Sequence, residues 1–393
     1  MVDEKQIKQW LKDGTITQAQ AKKMLIETTQ YKKEARSNKL IVAISTIGAI
    51  LLGIGAILFI ASNWIAIPNF GKVILLLVST FGAYYVGYLF KYQKNNLPKV
   101  GASLLFLGAL LFGATVILIT QIYNVNANNH ILILIWLIGI LPLVYALKST
   151  PIAGLASILY FLWLGLFFSP ENTWWFFGFL GPITFVLFIV GSIMRFVIGS
   201  FHYIREGFSN IAAAYRIAGL KVLMLMLFLL TFEWFSKSSS YFFERPSEIP
   251  AQLNVGIIAF AVISILTAVI NWFFNKSEKI SKFEGPIGIG MVALALIFFY
   301  YPSSTSIYVL IFNFVLAFMI GIIIYLGYER EDIGLVNMGT FWLSSFIVVR
   351  YFDWFWELLP RSLFFIVGGL ILVLGGIALE KKRRQLKHQF GVE

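Results

Sequence analysis

The chain reads as an all-α, polytopic transmembrane bundle of about twelve helices, with both termini cytoplasmic. Three observations predict this. Hydrophobic residues make up 59% of 393 residues and charged residues only 13%, against about 45–50% and about 25% in an ordinary soluble domain. Mean hydropathy is +0.82. About twelve apolar runs approach the roughly 20 residues that a helix needs to cross a hydrocarbon layer about 30 Å thick.

The polar residues 1–39 come first and read as a cytoplasmic helical segment. A short helix over 4–12, a turn at 13–16 and a second helix over 18–37 are expected. Thr17 followed by Gln20 forms a capping-box pattern, and Gly14 suits the turn before it. Trp10, Leu11, Ile16, Met24 and Leu25 are spaced to make a small apolar contact. About 40 residues is short for an independent fold. The segment therefore reads as a solvated basic cap on the first span, with partner docking as the alternative. It is too long and polar to be the leading region of a cleaved signal.

The predicted spans are 40–62, 72–90, 101–121, 131–147, 151–168, 174–194, 217–235, 253–274, 284–301, 305–327, 333–350 and 361–379. Together they define a bundle over 40–379, followed by a basic cytoplasmic tail over 380–393. The helix from Ala102 to Tyr123, with the first crossing before it, is expected to be the centre of packing. Of the 31 Lys and Arg, all but Lys72, Lys237, Arg245, Arg350 and Arg361 fall on one side when the spans alternate. Basic residues are retained on the cytoplasmic side, so that side is inside. Trp64, Trp174, Trp175, Trp234, Trp354 and Trp356 then fall near the outer interface, where an indole is comfortable.

Small residues recur at helical spacing: Gly48 and Gly55, Ala109 and Gly113, Gly368–Gly369 and Gly375–Gly376. Such spacing lets helix backbones approach closely in lipid. Gly178 and Gly181-Pro182 predict a kink inside span six. Residues 195–216, basic and aromatic, read as an amphipathic helix on the inner interface. The tail from Lys381 to Lys387 is placed to meet acidic headgroups.

There are no cysteines and three histidines. Disulfides and thiolate chemistry are excluded, and His130, His202 and His388 are too dispersed to suggest a metal site. No metal and no cofactor are expected. The net charge of +12 is assigned to the inner flanks of the spans, not to nucleic-acid binding. No strongly ionisable residue lies near a span centre, where it would mark an ion path. Ser45, Thr46, Ser103, Thr115, Gln121, Asn313 and Asn337 enter the bundle either as interhelical hydrogen-bonding groups or as the lining of a path.

Polar groups gather at the expected outer face. The candidate binding residues are Asn63, Trp64, Gln121, Tyr123, Asn124, Arg350 and Asp353. Arg350 and Asp353 stand one helical turn apart, so an ion pair is expected. That turn reads as an ion-paired interfacial element or as a gate or headgroup-binding rim. Enzyme readings find little support. The first outer loop, 62–71, has no acid to hold a metal or act as a base, and no P-loop, zincin or serine-elbow motif is present. No catalytic residue is assigned.

Trp10 with Gly14-Thr-Ile-Thr, Ala61-Ser-Asn-Trp64 with Ile67-Pro68, Leu111-Phe-Gly-Ala114 leading to Gln121-Ile-Tyr123, and Trp136 before Leu141-Pro142 form a recognisable set. It resembles the predicted membrane protein family known as domain of unknown function 2157, over roughly residues 5–165. Arg350-Tyr-Phe-Asp353, Phe364–Gly369 and the basic tail look like the end of longer members. The resemblance implies a bacterial or archaeal multi-span protein with no assigned activity, cofactor or substrate.

Three functions follow as expectations. The first is a transporter or flippase-like protein of the cell (inner) membrane, moving a small or lipidic substrate. The second is a non-catalytic scaffold or sensor whose cytoplasmic ends engage partners or anionic lipid. The third is an envelope lipid-modifying enzyme. Expected partners are membrane lipids, a second copy of the chain or another protein. A transporter predicts a water-filled cavity reaching mid-membrane near Gln121 and Asn313; a scaffold predicts solid packing there.

Overall fold

The computed structural model describes residues 7, 10, 11, 13, 16–21, 23–25, 44, 47–48, 51–52, 54–55, 58, 67–125, 128–167, 182–237, 251–275, 277, 280–301, 304–355 and 361–389. Among them there are helices and turns and no strands. The chain divides into two compact units, Met1–Ala127 and Asn128–Glu393.

In the first unit the capping box forms as its residue types require. The Thr17 amide donates to Gln20 Oε1 at 2.9 Å, and the Gln20 amide donates back to Thr17 Oγ1 at 3.4 Å. Ile7 and Ala21 are buried beside this start. The main elements are α1, Asn69–Tyr88, which widens into a π-helical turn over Leu89–Gln93, and α2, Pro98–Ile122. Pro98 sits at the first helical position, where its missing N–H costs nothing. The two helices form a tightly packed hairpin. A Cβ placed on Gly101 would lie 2.7 Å from the Gly87 carbonyl oxygen, so only glycine admits this approach. Thr80 and Thr115 join the helices through their hydroxyls at 3.0 Å.

The second unit contains α3 (Asn129–Leu147), α4 (Thr150–Phe167), α5 (Pro182–Phe201), α6 (Ser209–Leu230), a short α7 (Glu233–Lys237), α8 (Ala251–Phe274), α9 (Glu284–Tyr300), α10 (Thr305–Glu329), α11 (Ile333–Phe355) and α12 (Arg361–Gln389). The α5–α6 hairpin is its centre. Helix α5 packs on α4, α6, α8 and α9, while α6 packs on α4, α5 and α10. Glycine again sets the approach, since a Cβ on Gly219 would lie 2.6 Å from the Ser192 carbonyl oxygen and 2.9 Å from the Phe196 amide.

Nine helices among the described residues are long and apolar enough to cross a membrane. Of the other predicted runs, 40–62 lies largely outside the described residues. The run 284–301 becomes α9, with 17 residues. The run 361–379 opens α12, which continues unbroken through the basic residues to Gln389.

Three expectations are corrected. The helix Ala102–Tyr123 is one arm of the α1–α2 hairpin; among the described residues the candidate span with the largest buried share is Val186–Ile204, 67% against 28% for Pro98–Ile122. Residues 195–216 do not form an interfacial helix: they are the end of α5, a 3₁₀ turn at His202–Ile204 and the start of α6. The kink expected at Gly178 and Gly181-Pro182 falls at the edge of the described residues: Gly178 and Gly181 lie outside them, and α5 is described from Pro182. Finally, among the described residues Gly48, Gly55, Gly369, Gly375 and Gly376 have nothing within 4 Å of an added Cβ, whereas a Cβ on Gly368 would lie 2.9 Å from the Tyr351 ring. Ala109 and Gly113 are buried.

Candidate functional site

Three helix ends in the second unit bring ionisable side chains together. Glu284 begins α9, where an acid complements the positive end of the helix dipole. Arg216 lies near the start of α6, and Arg330 follows the last residue of α10. Arg216 Nη2 donates to Glu284 Oε1 at 2.8 Å, and Arg330 Nη2 donates to the same oxygen. The Ser281 amide also reaches it, at 3.4 Å. Glu284 Oε2 is buried with no hydrogen-bond partner. Arg216 is held further by Ser200 Oγ at 2.8 Å and lies over the Phe196 ring at 4.5 Å.

Beside this cluster lies a cavity of about 50 Å³. Its polar lining comes from Ser200, Asn271, Asn275, Ser281, Lys282 and Glu284, with Trp272 among its apolar neighbours. Two of these amides have structural work. Asn271 Nδ2 donates to the Val197 carbonyl and Asn275 Nδ2 to the Ser200 carbonyl, each at 2.8 Å. The Ser200 carbonyl lies in the last turn of α5, where the helix supplies no donor of its own.

Arg195 is a second buried cation in the same hairpin. It donates to Ser157 Oγ at 2.7 Å, and its guanidinium lies 3.5 Å from the Tyr215 ring centre and 5.5 Å from that of Tyr160. This arrangement ties α4, α5 and α6 through a charge stacked on aromatic faces.

At the opposite end of α6, the expected Arg350–Asp353 pair forms at 2.6 Å. Arg350 is buried and donates to the Thr231 carbonyl, while Asp353 is 44% exposed. The Phe232 ring lies 4.5 Å from the guanidinium. Arg350 thus caps the C-terminal end of α6, where a cation meets the negative end of the helix dipole.

Of the other candidate residues, Gln121, Tyr123 and Asn124 belong to the first unit and are exposed, with Asn124 in the left-handed region at φ 49°. Arg350 and Asp353 belong to the second. Asn63 and Trp64 lie outside the described residues. Asn313 gives its side-chain N–H groups to Val309 O at 2.7 Å and Thr231 O at 3.3 Å. Among the described residues no group of three or more His, Asp or Glu is placed to hold a metal ion.

Sequence reasoning missed the Glu284 cluster because Arg216 and Arg330 read as flank charges and Glu284 only as the start of a span. One signal was available: Glu284 is an acid opening a predicted span on the side where basic residues accumulate.

The first unit and the start of the second carry a family pattern. Residues 8–153 match the family described as Predicted membrane protein (DUF2157). The DUF2157 match includes Gln121, Tyr123 and Asn124 and ends within α4, so the Glu284 cavity and Arg350 lie beyond it. No curated protein and no solved structure matches the chain.

Proposed function

We propose that this membrane protein recognises phospholipid headgroups at the Glu284 end of its second unit and acts as a scaffold or sensor. One observation carries the reading. A cavity with an acid, a base, amides and hydroxyls on its wall sits at one end of a largely apolar helix bundle. Retention of positive charge inside the cell supports reading this end as the cytoplasmic one, because Arg195, Arg205, Arg216, Lys282 and Arg330 share it. Basic residues at such a surface attract acidic lipid at about 1 kcal/mol each.

The hydrogen bonding of polar groups inside the bundle supports a scaffold over a carrier. Asn313, Ser264 and Thr267 each donate to a carbonyl four residues earlier in their own helix. A transporter or flippase-like role is the second reading, favoured by the joining of such a cavity to many membrane-crossing helices.

The test is lipid mass spectrometry on the purified full chain after detergent washing, beside Lys282→Ala. Retained phospholipid that falls several-fold in the variant is the expected result. Absence of retained lipid in the wild type overturns the reading. Reconstituted vesicles carrying a fluorescent phospholipid separate the two roles: accelerated exchange between leaflets selects the flippase, and an unchanged rate selects the scaffold.

A further inference from the structure

We infer that the Glu284 cavity takes a primary ammonium two carbons from a phosphate, the chemistry of an ethanolamine phospholipid headgroup. The inference rests on the headgroup reading above and names its substrate class.

Charge is the first argument. Among the described residues lining the cavity, only Glu284 and Lys282 are ionisable. A zwitterion offers its phosphate to Lys282 and ammonium N–H donors to Glu284, whose charge Arg216 and Arg330 already balance through Oε1. A glycerol-phosphate headgroup brings an anion for Lys282 and only neutral hydroxyl donors for Glu284.

Hydrogen bonding is the second. Glu284 Oε1 already accepts from Arg216, Arg330 and the Ser281 amide. Oε2 accepts from nothing, although the Glu284 side chain is only 8% exposed. A buried acceptor left unmade is costly, and an arriving N–H satisfies it. Primary ammonium has three such donors; trimethylammonium has none.

Size is the third. A cavity of about 50 Å³ holds a few waters, each needing about 10–15 Å³ of such space. An ammonium and its short carbon link are of that order. Lys282 is exposed, which leaves its ammonium free to meet a phosphate from the mouth as a charge-assisted pair. Trp272 lines the same cavity and is 53% exposed, as suits an indole at the headgroup level.

Native mass spectrometry of the full chain in detergent tests this. Titrate lipids with identical acyl chains and with ethanolamine, N-methyl-, N,N-dimethylethanolamine, choline or glycerol headgroups. Binding should weaken along the methyl series, with choline roughly tenfold below ethanolamine. Lys282→Ala should weaken every phospholipid and keep the order. Glu284→Gln should abolish the order; if that variant does not fold, the methyl series on the wild type decides alone. Equal binding across the series, or an order unchanged in folded Glu284→Gln, overturns the inference. Retained lipid with no headgroup order sinks this inference and spares the headgroup reading; no retained lipid sinks both. Soluble phosphoethanolamine serves as a competitor: displacement assigns the ligand to a free metabolite, and failure to displace assigns it to a lipid, both within the chemistry inferred.

Discussion

Arg216 and Glu284 stand 68 residues apart and meet at 2.8 Å, each side chain less than a tenth exposed. Arg330 joins them on the same carboxylate oxygen. Two guanidiniums on one buried oxygen hold three helix ends together.

Removing the acid should therefore do more than lose one contact. Glu284→Gln leaves two cations without their counter-charge, and breaking a buried pair from one side costs about 3–5 kcal/mol. A large fall in the thermal unfolding midpoint in detergent is expected. A variant that melts with the wild type would show the cluster to be energetically idle.

The close approach of α5 and α6 predicts a contrast between two glycines. Gly219→Leu drives a side chain into the backbone of Ser192 and Phe196, and overpacking of this kind costs about 1–3 kcal/mol. Gly290 has nothing within 4 Å of an added Cβ, so Gly290→Ala should leave stability unchanged or slightly raised. Unfolding midpoints of the two variants, measured side by side, give the comparison.

Arg350 and Asp353 should be unequal partners. Arg350→Met removes the cation from the end of α6, the bond to Thr231 and the pair to Asp353, at about 2 kcal/mol. Asp353→Asn removes only the half-exposed member, worth about 1 kcal/mol or less after solvent screening. Chemical denaturation of the two variants should order them this way. Equal losses would mean that the ion pair, not the cap, matters.

Thr80 and Thr115 offer a covalent check on the first unit. The chain has no native cysteine, so Thr80→Cys with Thr115→Cys places two thiols against an empty background. Mild oxidation should link them, and proteolysis between α1 and α2 should then leave the fragments joined until reduced. Separate fragments after oxidation would place the helices in another register.

Much of this fold was legible because lipid imposes one strong rule. The apolar runs near the needed length are helical over nearly all their described residues, the break at Thr231–Phe232 inside 217–235 being the main exception, and the Thr17–Gln20 cap and the Arg350–Asp353 turn followed from local spacing alone. The helix ends were harder. Arg195 and Arg216 depress hydropathy, so they read as the ends of an interfacial helix, yet both are buried in the bundle because aromatic faces, serines and Glu284 receive them. Such partners come from distant segments, and no local window contains them. The contact glycines escaped for the same reason: Gly199 and Gly219 matter because of each other's helix, whereas the regularly spaced Gly48, Gly55, Gly375 and Gly376 have no neighbour within 4 Å among the described residues. The Glu284 cavity needed three helix ends to exist, and its one sequence trace was an acid among basic flanks.

Helix α12 has a mechanical consequence. Its 29 residues measure about 43 Å at a rise of 1.5 Å each, some 13 Å beyond a hydrocarbon layer of about 30 Å. The surplus carries the lysines and arginines from Lys381 onward, braced by the Glu380–Arg384 pair at 2.8 Å. Were its first roughly 20 residues to span that layer, the rest of the helix would project from it as a stiff outrigger. Anything docking on it meets a preformed rod and owes little ordering entropy.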